Sequence, residues 1–136
     1  MWPILTVAYI ESVMSTALYA AYLQWLTDNP SKSGRLSALI TQIATEFRSA
    51  LRANGTPVPS GNETAVPSAC LRHAQTIILY ELKREIGLTF SDGENNMALR
   101  SDMFLRNVWT GSIPLSRDTG GLSPTYVAQA SAIENP

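Results

Sequence analysis

The chain has 136 residues, 15% of them charged and 45% hydrophobic, with a net charge of −1. A soluble domain of similar apolar content ordinarily carries roughly 25% charged residues, so the shortfall is in charge, and a single small domain built this way is expected to have part of its exterior covered by neighbours. The balance of 10 basic against 11 acidic side chains argues against bulk electrostatic recruitment to DNA or to an anionic membrane.

Cys70 is the one cysteine, which excludes an internal disulfide and a cysteine-rich zinc site and fits a reducing compartment. The opening Met1-Trp2-Pro3-Ile4-Leu5 lacks the positive stretch of a secretory signal peptide. Residues 5–26 are the most apolar window, yet Glu11, Ser12, Ser15, Thr16 and Gln24 interrupt it, and their insertion cost argues against a membrane span.

Thr6 and Ser15-Thr16 are capping signals, so residues 6–28 are expected as a short helix followed by a longer one, ending at Asp28-Asn29-Pro30. In the next block Leu36, Leu39, Ile40, Ile43, Ala44, Phe47, Ala50 and Leu51 recur on one helical face. Gln42, Glu46, Arg48 and Arg52 fall mostly off that face, and the spacing predicts an amphipathic helix over 34–54, with Ser33 as its cap and Asn54-Gly55 as its stop. Residues 55–66 read as a solvated loop, two prolines and two glycines among them. Its Asn62-Glu63-Thr64 triplet is read as loop rather than as a glycosylation site. From Pro67, the residues Cys70, Leu71, Ala74, Ile77, Ile78 and Leu82 form a third stripe that Gly87 ends. After a turn over 88–93, with Ser91 or Asp92 as cap, a last helix over 94–110 is expected to bury Met97, Phe104, Leu105 and Val108 before Gly111. The fold class is therefore all-α, a small bundle of four to five helices over residues 1–111. Residues 112–136, with Pro114, Gly120-Gly121, Pro124 and Pro136, read as an extended tail. It retains Ile113, Leu115, Leu122, Tyr126, Val127 and Ile133, more apolar side chains than a linker needs, which favours docking on a partner.

Reactive constellations are few. Cys70 and His73 stand one turn apart without an orienting group or an oxyanion site, and two ligands are too few for a closed zinc site. Glu81, Lys83, Arg84 and Glu85 read as a solvated or ion-paired helix face rather than an acid–base pair. No catalytic residue, cofactor site or metal site is assigned. The aromatic set Tyr9, Tyr19, Tyr22 and Trp25 suits either core packing or, in a chain so short of charge, a subunit interface.

The order of these blocks resembles the small head-tail adaptor (connector) proteins of tailed bacteriophages, including the family found in Mu-like phages. The resemblance runs over residues 5–115. It rests on Thr6-Val7-Ala8-Tyr9-Ile10 opening a short helix, the helix from Arg35 to Leu51, and the loop ending in Val66-Pro67. The helix around Ala74 to Leu82 follows, then Phe104 to Gly111 with Ile113-Pro114-Leu115 behind it. It implies a homo-oligomeric ring, commonly of twelve copies, under the portal of a DNA-filled capsid. Such a ring joins portal protein to downstream neck or tail protein and encloses the channel through which genomic DNA leaves without sequence-specific binding. The chain would be made in the host cytoplasm and end in the virion neck, with no membrane partner. The C-terminal segment would dock on the portal. The long aromatic first block and the twelve-residue loop before Pro67 depart from the simplest family pattern.

The residues also allow a small helical DNA-binding or regulatory module. Its recognition helix would be the fourth block, which offers Arg100 and Arg106.

Overall fold

Two hydroxyl caps divide the first apolar block as the sequence predicts. In the computed structural model, which describes residues 2–111, Thr6 Oγ1 accepts from Tyr9 N–H at the start of α1 (Val7–Val13). Ser15 Oγ accepts from Leu18 N–H at the start of α2 (Thr16–Asp28). Met14 between them is extended, so the two cannot merge into one helix. Asn29 closes α2 by donating its side-chain amide to Trp25 O at 2.9 Å, and Pro30 begins a 3-10 turn over Pro30–Lys32.

That turn corrects the expected cap of the next helix. It carries Ser33 into helical backbone geometry, from which the hydroxyl cannot cap, and α3 (Arg35–Ala53) starts at Gly34 with no side-chain cap. At its other end Gly55 takes a φ of 78°. Gly55 N–H then donates to Arg52 O and Thr56 N–H to Leu51 O, the paired bonds that satisfy a helix's last carbonyls when a left-handed residue follows it. Helix α4 (Ser68–Ile86) begins one residue after the buried Pro67 and stops at Gly87. Helix α5 (Asp92–Thr110) starts two residues earlier than expected, because Ser91 and Glu94 form a reciprocal capping box. The intervening turn is braced by Tyr80 stacked on Phe90 at 4.2 Å and by Lys83 lying over the same ring and paired with Glu94.

The described residues are thus all-α. Helices α3, α4 and α5 pack on one another, with α1 laid on α3 and α2 on α4. Every apolar residue expected on the α3 face is buried, and Cys70, Ala74, Ile78 and Leu82 of α4 meet it together with Leu105 and Val108 of α5. Phe47 is fully buried at the centre, its ring 6.5 Å from that of the half-buried Phe104. Met97 departs from expectation at 48% exposed: it stands on the α4 side of α5 but at the rim of the grooves between the two helices, where it is only partly covered. The ends of α3 and α5 interlock, since Asn54 donates its amide to Val108 O and a Cβ at Gly111 would lie 2.8 Å from Asn54 Oδ1.

The loop between α3 and α4 is held down rather than merely solvated. Leu5 N–H donates to Thr64 O and Val66 N–H to Pro3 O, forming an isolated antiparallel bridge between Ile4 and Ala65. From beneath, the Arg48 guanidinium donates to Ala65 O at 2.9 Å and to Pro59 O at 2.6 Å. Arg48 is 1% exposed, contrary to the solvent-side position its charge implied. Burial pulls its pKa below the ordinary guanidinium value, while the charge of Glu63 acts in the opposite sense and that of Arg52 reinforces the fall.

Candidate functional site

Two kinds of surface stand out: apolar faces with no cover, and a polar groove between α4 and α5. On α5, Leu99 and Met103 are one turn apart and lie opposite the buried row of Ser101, Leu105 and Val108; they are 58% and 52% exposed, with Trp109 near the helix end also open. On α2, Tyr19 and Leu23 make a similar exposed pair behind the buried Leu18 and Tyr22. Burial of such side chains supplies about 25 cal/mol per Å2 of apolar area removed from water, so a partner seated on these faces would be bound mainly by the hydrophobic effect.

The aromatic set proposed as an interface does not share one face. Tyr22 is 3% exposed in the core, and burial raises its pKa above the usual phenol value, helped by the charge of Glu11 and by Tyr19. Trp25 packs against the core beside Tyr22. Tyr9 is half-buried, its hydroxyl donating to Gln75 Oε1 at 2.8 Å. Tyr19 alone of the four is open to a neighbour. The alternation of exposed and buried aromatics follows from α2 being amphipathic only weakly in sequence, so composition could not sort them. The tail residues Ile113, Leu115, Leu122, Tyr126, Val127 and Ile133 lie outside the described residues.

Cys70 and His73 are separated in role by their surroundings. The Cys70 thiol is fully buried and pushed up to about 12 by desolvation, so it stays protonated and inert at neutral pH. The partner that His73 does find is one the sequence reading missed. Ser101 Oγ, on α5, lies 3.0 Å from His73 Nδ1, and the ring stacks on Phe104 at 4.0 Å. Ser101 stands one turn before Leu105 and two before Val108, on the inner row of α5, and that spacing was the available signal for it. At 3% exposure its hydroxyl is closed to a substrate, so the contact fixes the ring rather than arming a nucleophile. Burial lowers the His73 pKa, and the charge of Arg72 lowers it further.

The charged row on α4 is largely paired. Glu81 binds Arg84 one turn on, Glu85 reaches Arg35 of α3 at 2.6 Å, and Lys83 holds Glu94. These pairs are exposed or half-exposed, and solvent screens most of their attraction. Among the described residues no three metal-ligating groups cluster, and no helix is long and apolar enough to cross a membrane. Set beside known proteins, the chain matches no family model, no curated protein and no solved structure.

Proposed function

We propose that this chain is a structural subunit of a phage neck, a head-tail adaptor that assembles as a ring on the portal protein and connects it to the neck or tail protein below, with genomic DNA passing through the channel. The observation that carries this reading is the pair of uncovered apolar faces, Tyr19 with Leu23 on α2 and Leu99 with Met103 and Trp109 on α5. They project from a helical body whose core is otherwise closed and whose charge is low. Two such faces on different helices suit a heterologous contact, in which one face of a copy meets another face of the next and the rotation closes a ring. The resemblance in block order supports the adaptor reading and, with it, the portal as the partner of the C-terminal segment.

Electron microscopy of the purified full chain, alone and mixed with portal, tests the reading; rings of uniform size support it. A chain that stays monomeric in both samples and is missing from particles overturns it. Leu99→Glu combined with Met103→Glu is expected to abolish ring formation, read by sedimentation, while leaving the thermal midpoint unchanged, since neither side chain contributes to the core. Truncation after Leu115 is expected to leave helix content nearly unchanged, read by circular dichroism, and to weaken incorporation into particles, read by blotting purified virions.

The DNA-binding alternative has less behind it. Of the two basic side chains that α5 offers, Arg106 is held by Asp102 at 3.1 Å, which leaves a recognition helix with a single free cation.

A further inference from the structure

The groove that α4 and α5 form around His73 is lined by Arg72, His73, Thr76, Met97, Arg100 and Ser101 and encloses about 230 Å3. Its chemistry is one-sided. Two guanidiniums and an imidazole line it without a carboxylate, whereas the neighbouring cavity between the same helices is lined by Glu81 and Asp102. The other cations of α4 and α5 are all engaged, Lys83 with Glu94, Arg84 with Glu81 and Arg106 with Asp102. Arg72 and Arg100 are exposed, and neither guanidinium has a hydrogen-bond or ion-pair partner among the described residues.

The histidine between them is oriented rather than loose. Ser101 at Nδ1 and the Phe104 ring at 4.0 Å fix its plane. Nε2 makes no hydrogen bond within the described residues, so it donates to an incoming anion in the imidazolium, or in the neutral ring when the Ser101 hydroxyl donates to Nδ1. An oriented imidazole beside two free guanidiniums is a donor set for a tetrahedral oxyanion, which guanidinium forks bind through two oxygens at once. The space is below the roughly 300–1,000 Å3 of sites that enclose drug-sized ligands, and its cationic lining suits one anionic group.

We infer that Arg72, His73 and Arg100 form a binding site for a single phosphate group, either free phosphate or a phosphate of a nucleic-acid backbone. The inference rests on this groove and not on ring assembly. Binding also affects the imidazole: the charge of Arg72 on its own helix already disfavours the protonated ring, Arg100 lines the same groove from α5, and Asp102 beside Ser101 is paired with Arg106. A bound anion offsets that positive field and favours the imidazolium, so the His73 titration midpoint rises on binding.

The test is an NMR titration of the isotope-labelled full chain with inorganic phosphate, at fixed pH and with ionic strength balanced by sodium chloride. Saturable shifts of the His73 ring and of the Arg72 and Arg100 side-chain N–H signals are expected, together with an upward move of the His73 midpoint. Arg72→Gln and Arg100→Gln, both at exposed positions, are each expected to weaken binding about tenfold, and Arg52→Gln on α3 to leave it unchanged. Shifts that grow linearly without saturating, match those from chloride, or persist in the Arg72→Gln/Arg100→Gln double variant overturn the proposal. A short DNA duplex added as competitor identifies the source: displacement of phosphate from the same three side chains assigns the site to backbone phosphates, and lack of displacement assigns it to free phosphate. Both outcomes retain the site, whether or not the chain forms rings.

Discussion

Phe47→Asp is expected to leave the chain unfolded at room temperature. The ring is fully buried where α3 meets α5, with Phe104 against one side. Truncating a buried Phe to Ala costs about 3–5 kcal/mol through lost transfer energy and the cavity left behind. Aspartate adds to this a carboxylate in the core, where the neighbouring buried Arg48 is already committed to Pro59 O and Ala65 O, so the carboxyl must either ionise without a partner or fold only in its protonated form. A domain of this kind has a total stability of about 5–15 kcal/mol, so the combined penalty removes most or all of it. The measurement is far-ultraviolet circular dichroism with gel filtration, and Phe47→Leu serves as the comparison that keeps an apolar side chain in place. A soluble, helical Phe47→Asp protein that elutes like the parent would mean that α3 does not turn this face inward.

That prediction was available from the sequence, and the reason shows which parts of the fold are local. The eight apolar positions of α3 repeat at three and four residues, and no other face of the helix competes with them, so periodicity alone identifies the core side. Helix ends were legible where one residue type dictates one backbone geometry, as with Thr6, Ser15 and Ser91 as hydroxyl caps and Gly55 in the left-handed region. What failed was whatever depends on another segment. Ser33 has the right chemistry for a cap, but the 3-10 turn started by Pro30 gives it helical geometry. Met97 sits on the inward side of α5, yet at the rim of the grooves with α4 rather than beneath a covering element. Periodicity gives a direction, and only the packed fold decides whether something is there.

The candidate sites divide in the same way. The surplus of apolar surface was foreseeable from the low charge, but its address was not. Tyr22 and Trp25 went into the core while Leu99 and Met103, on the side of α5 away from its buried row, became the exposed pair. His73 stood out as the only histidine, whereas its partners Ser101, Phe104 and Arg100 lie some thirty residues away on the next helix. Helix α5 runs back along α4, and only that reversal puts the four in one place.

The buried Arg48 carries the second large effect, because it holds the one long loop of the described fold. Seen along α3, Arg48 lies at the edge of the apolar face, one turn after Ala44 and just before Ala50 and Leu51, and it is buried only because residues 59–65 cross above it. Its two terminal nitrogens bind Pro59 O and Ala65 O, leaving Nε without a partner. The same stretch is tied to the N-terminal segment through Leu5 and Val66, so Arg48 anchors the chain's start as well as the loop. Arg48→Ala removes the donors from both carbonyls and opens space beneath them. A loss of about 2–4 kcal/mol is expected from two orphaned acceptors, or about 7–14 °C in the thermal midpoint of a domain this size. Protease cleavage inside residues 56–63 should accelerate in parallel. Arg48→Met separates the contributions: it keeps much of the stem packing and removes the desolvated charge, so it is expected to fall between Ala and the parent in midpoint while matching Ala in loop cleavage. If Arg48→Ala melts with the parent and its loop stays resistant, the pairing of Ile4 with Ala65 holds the segment without help from below, and Arg48 is buried as a consequence of the loop's path rather than as its cause.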